Sequence, residues 1–142
     1  MTAKSGSNSW NTAILYACVA AGGVIGSVAR YLASLLIPSL SGFPLATLFV
    51  NITGSFIIGF YSTLSGPDGR LFATTRQRQF VMTGICGGYT TFSTFSLETF
   101  RLLHDGRTGM ALLNIAVSVV TWLVAVWLGH VLASRLNRLK GS

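Results

Sequence analysis

The sequence predicts an all-α membrane protein with four transmembrane helices, and three observations predict it. Of 142 residues, 51% are hydrophobic and only 9% are charged, against about 25% charged in an ordinary soluble domain. Four stretches, 5–29, 31–67, 79–97 and 108–134, contain no Asp, Glu, Lys or Arg. Each is long enough to hold a spanning helix, since about 20 apolar residues cross a hydrocarbon core of ~30 Å. The connecting segments are too short for a separate soluble domain, so residues 1–142 read as one membrane unit whose function lies within the bundle or in its assembly.

The first helix is expected at 12–36. Its run through Ala21 could pass for a secretory signal, but the apolar character continues to Leu36 and the preceding tail carries only Lys4, so the helix is read as retained. The second is expected at 45–64 and the fourth at 110–132. Thr47, Asn51 and Ser55 recur every fourth residue on the second and share one face. Asn114, Ser118 and Thr121 form a similar stripe on the fourth. Such stripes serve either as interhelical hydrogen-bonding glue or as a polar path.

The third segment, expected at 80–103, differs from the others. From Gly84 to Ser96 it combines three glycines, five Ser or Thr residues and two phenylalanines without a charge. Adjacent glycines followed by β-branched Thr90 and Thr91 predict a break near 87–91. Irregular backbone at membrane depth survives only where it is buried or lines a cavity, and breaks of this kind free carbonyls for cations and donors for anions. Phe92 and Phe95 lie on one side of the following half-helix. They are core residues on the plain reading, but aromatic rings presented edge-on can also stabilise an anion without trapping it.

Charge and composition exclude several function classes. The net charge of +7 is spread over loops and tail rather than set in a stripe with aromatics, which points to anionic lipid rather than nucleic acid. Cys18 and Cys86 lack CxxC spacing, so neither disulfide nor metal is indicated. His104 and His130 stand without a carboxylate pair or nucleophile, which argues against an enzyme. A proton-coupled multidrug transporter of this size needs an acid in its first helix, and residues 5–29 have none. A structural subunit of a larger complex would leave the third segment unexplained.

No internal repeat supplies a second half, so the chain is expected to dimerise. Gly22-x-x-x-Gly26, with Gly54 and Gly59, could pack between subunits or within one. A cytoplasmic N-terminus puts Lys4, Arg70, Arg76, Arg78, Arg135, Arg138 and Lys140 on one side, against Arg101, Arg107 and Arg30 on the other. The positive-inside rule then favours cytoplasmic termini.

The run Gly87-Gly88-Tyr89-Thr90-Thr91-Phe92-Ser93-Thr94-Phe95 resembles the GGxTTFSTF signature of the small microbial fluoride channels, the Fluc/CrcB family. Gly22-Gly23-x-x-Gly26-x-x-x-Arg30-Tyr31 resembles that family's first-helix pattern, and Thr47-Leu48-x-x-Asn51-x-x-Gly54 its second. Length and four-helix layout agree as well. The resemblance implies an antiparallel, dual-topology homodimer in the cell membrane that passively exports fluoride, with a structural sodium ion at the dimer centre. Carried over to this chain, it implies a pore lined by Asn51, Phe92, Ser93, Thr94 and Phe95, a vestibule at Arg30, and sodium held by the main-chain carbonyls of Gly87 and Thr90. It leaves Glu98 unassigned. Tyr89 and Asn114 depart from the family pattern, where an aliphatic residue and a polar aromatic are expected. The uneven loop charge departs too, since a homodimer inserting both ways calls for balanced loops; pairing with a homologous subunit of opposite topology is the alternative.

Overall fold

The computed structural model describes residues 4–67 and 69–138, with side chains from Trp10 onward. Lys140, counted in the loop charge above, lies outside them, as does the Lys4 side chain. Among the described residues every regular element is a helix, with an isolated bridge between Leu40 and Phe43. The elements are α1 (Lys4–Leu36), α2 (Leu45–Leu64), α3 (Thr75–Gln79), a π-helical segment (Phe80–Cys86), α4 (Gly87–Tyr89), α5 (Phe92–His104) and α6 (Thr108–Arg138). Three helices, Trp10–Leu36, Leu45–Leu64 and Thr108–Arg138, are long and apolar enough to cross a membrane.

The third predicted helix is resolved into pieces. The chain is helical from Thr75 to Tyr89, extended at Thr90 (ψ 159°) and Thr91 (φ −152°, ψ 121°), and helical again from Phe92. The break therefore falls on the two threonines and not on Gly87 and Gly88, which remain helical. At Thr90 the N–H still closes the last helical bond, to the Cys86 carbonyl at 2.9 Å, and its hydroxyl bonds the same oxygen. The helix stops because ψ of Thr90 turns extended and the next N–H, of Thr91, goes to Asn51 instead of Gly87. Thr91 explains the restart, because its Oγ1 accepts the Thr94 N–H at 3.1 Å as an N-cap. At the lower end a capping box between Thr74 and Gln77 starts α3.

The GxxxG question is answered within one chain. A methyl group at Gly22 would meet the Phe80 carbonyl and Gly84, one at Gly26 the Ile85 carbonyl and Tyr89 N, and one at Gly88 the Gly23 carbonyl. These glycines let α1 lie directly on the π-helical segment and α4. Gly59 and Gly129 do the same for α2 and α6, facing the Val126 and Phe56 carbonyls. Small residues at such contacts substitute close van der Waals packing for the hydrophobic force that lipid cannot supply.

Burial is inverted relative to a water-soluble domain. Besides glycines, the buried set contains Val50, Cys86, Phe95, Leu102 and three alanines, against seven polar residues, Thr47, Asn51, Ser65, Thr91, Thr99, Asn114 and Ser118. The large aliphatic and aromatic side chains of α1 and α6, such as Tyr16, Leu35, Leu123 and Trp127, face outward. In water this surface would drive aggregation; in hydrocarbon it is the solvated face.

Replacing Gly26 by Leu should force α1 off the Ile85 carbonyl and cost about 1–3 kcal/mol or more of packing. Gly23→Ala should be neutral, since a methyl there meets nothing within 4 Å. Thermal midpoints of the two variants in detergent are expected to separate accordingly.

Candidate functional site

The two extended residues at the break would leave buried peptide groups unpaired, and Asn51 of α2 pairs them. Its Nδ2 donates to the Thr91 carbonyl at 2.9 Å, and its Oδ1 accepts the Thr91 N–H at 2.7 Å. Asn51 and Thr91 are both buried. A carboxamide is the smallest side chain that offers donor and acceptor side by side, which is what one extended residue presents. One amide hydrogen of Asn51 remains beyond this pair.

In an unbroken helix the Thr91 N–H would close on the Gly87 carbonyl. Its diversion to Asn51 leaves the Gly87 carbonyl without that partner, beside the extended Thr90. Gly87 is exposed and a methyl there would meet nothing within 4 Å. Uncharged carbonyl oxygens freed in this way suit a hard cation such as sodium.

Two clefts meet at Thr91. The larger, about 540 Å³, lies between the C-terminal part of α1, the start of α2 and α5; Arg30, Ser34, Thr47, Thr91, Thr94 and Glu98 line it. Thr47 donates to Glu98 Oε1 at 2.8 Å, while Glu98 Oε2 is buried with no partner among the described residues. The smaller, about 280 Å³, lies farther along α2 and is lined by Asn51, Ser55, Gly87, Thr90, Phe92 and Trp122, again with Thr91.

The site residues expected from the sequence are thus divided by the structure. Thr94 and Arg30 face the larger cleft, Asn51 and Phe92 the smaller. Phe92 is 71% exposed and Phe95 only 6%, although their rings are 5.6 Å apart. Phe95 packs edge-to-face with Trp122 at 5.0 Å and 75°. Ser93 is exposed, with its hydroxyl 3.3 Å from Thr91 Oγ1.

Tyr89 joins the break to α2 through a 3.0 Å hydrogen bond between its hydroxyl and Thr53 Oγ1. Asn114 points inward and donates to Thr99 Oγ1 at 2.9 Å. The α6 stripe runs through Asn114 and Ser118 to Trp122, not to Thr121, whose hydroxyl bonds the Val117 and Ser118 carbonyls of its own helix. Spacing by four from Ser118 could have found Trp122; an aromatic in an apolar run gave no other sign of it.

Residues 17–130 match the family described as CrcB-like protein, Camphor Resistance (CrcB). The chain belongs to the CrcB family. It is 68% identical over 132 residues to a protein of Rhodopseudomonas palustris (strain BisB18) named fluoride-specific ion channel FluC 1, covering 92% of this chain and 94% of that one. A Bradyrhizobium diazoefficiens protein of the same name is 61% identical over the full length of both. A fluoride-specific ion channel FluC of Opitutus terrae is 54% identical over 130 residues, 90% of this chain and 98% of its own. The CrcB match spans α1 through most of α6, so it takes in the break, the Asn51 clamp and both clefts.

Asn51→Ala should unpair both Thr91 peptide groups, each a loss of about 1–3 kcal/mol when buried. Its thermal midpoint by circular dichroism should fall well below that of Ser93→Ala, which removes an exposed hydroxyl.

Proposed function

We propose that this chain forms a channel that lets fluoride leave the cell passively and so relieves its toxicity. The observation that carries the reading is the uncharged break itself: a helix interrupted at Thr90 and Thr91 and clamped by Asn51, with two clefts that Thr91 lines in common. The relatives named as fluoride-specific channels at up to 68% identity support the choice of ion.

Fluoride is small and strongly hydrated, so a pathway must replace its water by closely spaced donors. Thr94 on one side of Thr91, and the free amide hydrogen of Asn51 on the other, offer such donors without fixed charge. Phe92 and Phe95 present ring edges that carry partial positive charge. Arg30 in the larger cleft raises the local anion concentration at that mouth. Weak, repeated coordination suits conduction better than one deep site. Hydrogen fluoride enters an acid-exposed cell and ionises at neutral pH, so a leak down the gradient needs no energy source.

The pieces from Thr75 to Tyr89 and from Phe92 to His104 together make the fourth crossing; α5 alone, at 13 residues, reaches only ~20 Å. The exposed Phe92 and Gly87 are read as facing a second copy in an antiparallel homodimer in the cell membrane. There the freed carbonyls of Gly87 and Thr90 would hold a structural sodium ion, which ties two subunits together by shared coordination. The loop-charge bias favours the second reading, a paired homologous subunit of opposite topology, and a C-terminal tag decides: both membrane faces should expose it in the homodimer, one face in the pair.

Purified protein in liposomes should dissipate a fluoride gradient, read with a fluoride electrode, and leave chloride in place; equal chloride flux would sink the selectivity claim. Phe92→Ile or Phe95→Ile should slow the efflux by about tenfold or more, the factor for ~1.4 kcal/mol. Replacing sodium by N-methylglucamine should lower the thermal midpoint of the assembled protein, and an unchanged midpoint would remove the sodium from this account.

A further inference from the structure

The hydrogen bonds around the break run in a fixed order, which makes the donors left over informative. Ser118 donates to Asn114 Oδ1, Asn114 to Thr99 Oγ1, and Thr99 to the Phe95 carbonyl. Each hydroxyl hydrogen in that chain is committed and Asn114 keeps one amide hydrogen, so Ser118 turns lone pairs and not a proton toward its surroundings. Trp122 continues the same face of α6 one turn farther on. Its Nε1 is buried and has no partner among the described residues.

An indole nitrogen can only donate, and a buried donor left unpaired is costly, so native structures pair almost all of them. Its neighbours offer little: Phe95 supplies a ring at 5.0 Å, and the cleft it lines is otherwise Asn51, Ser55, Gly87, Thr90, Thr91 and Phe92 with a few apolar side chains. The acceptors of Asn51 and Thr91 already serve each other. Ser55 lines the same cleft and forms no hydrogen bond among the described residues.

We propose that Trp122 Nε1–H and Ser55 Oγ–H form a pair of donors for the permeating anion in this cleft, a subsite that takes fluoride where it passes Phe95. The inference rests on the fluoride reading above. A monatomic anion can accept from both donors at once, whereas a water placed there would bring two hydrogens to a site already rich in them. The donors are neutral, so they coordinate the ion without trapping it. Because the protein's own atoms cover Nε1, the indole meets an ion only on a small side-chain rotation, after water has been shed on that side. Trp122 would then act in specificity, since two hydrogen-bond donors compensate a small, strongly hydrated anion better than a larger halide.

The test uses the full-length protein in lipid nanodiscs with its tryptophan indoles labelled with nitrogen-15. On titration with sodium fluoride, the Trp122 indole resonance, assigned by its loss in Trp122→Phe, should move saturably, and sodium chloride should leave it in place. Trp10 and Trp127, both exposed on the outer surface, should not move with either salt. In liposomes Trp122→Phe keeps a ring against Phe95 but lacks the donor, and should lower fluoride efflux about tenfold; adding Ser55→Ala should lower it further. A Trp122 resonance that stays still at fluoride concentrations saturating the flux, or Trp122→Phe efflux within about twofold of the unaltered protein, would overturn the proposal and return Trp122 to packing. If the variant does not fold, the resonance is assigned by elimination with Trp10→Phe and Trp127→Phe, and the titration of the unaltered protein decides. Absence of fluoride efflux from the unaltered protein would instead defeat the channel reading itself.

Discussion

The pair of hydrogen bonds between Asn51 and Thr91 is the constraint on which the rest of the molecule depends. An extended peptide inside a membrane has no water to satisfy it, and each unsatisfied group there costs several kcal/mol, roughly 2–7 on transfer scales. Asn51 meets both needs of Thr91 with one side chain. Because α2 carries Asn51, the break must lie against α2, and Gly54 on the next turn is small because Thr90 occupies the space beside it. Tyr89 adds a third tie to α2 through Thr53. The broken segment is thereby a rigid element and not a loose loop, as a pathway with ordered donors requires.

The same need explains why the interior is polar. With lipid as apolar as any side chain, burial of leucine stabilises nothing, and helices associate by close backbone contact and hydrogen bonds. Glycines on α1 bring it onto the π-helical segment, glycines on α2 and α6 bring those two together, and Thr47 with Glu98 and Asn114 with Thr99 pair across the gaps that remain. A π-helical turn within a membrane helix often marks a functional site, and here it leads directly into the break.

Function follows from what this pairing leaves over. Most polar groups are consumed in holding the bundle, and a few keep spare donors: Thr94, Ser55, Trp122 and one amide hydrogen each of Asn51 and Asn114. None carries a formal charge. Arg30 and Glu98 line the larger cleft, and neither lines the smaller one.

By itself, the sequence determined the membrane class, the positions of the long helices, the existence of a break and the family, because uncharged runs and a glycine- and threonine-rich motif are local and one-dimensional. Its first span, 12–36, lies close to the apolar span Trp10–Leu36, while the helix itself runs on to Lys4, because a helix can continue into polar residues that apolar character does not mark. It bounded the break to 87–91, and the structure narrows it to Thr90 and Thr91, with Gly87 and Gly88 still helical and Gly88 packed against the Gly23 carbonyl. Tertiary structure alone decided that the GxxxG glycines serve contacts within one chain, that Asn51 is committed to Thr91, and that Phe92 faces outward while Phe95 lies under Trp122. The physical reason is the same in each case: a hydrogen bond or close contact between residues on different helices depends on which helices become neighbours, and no local pattern records that.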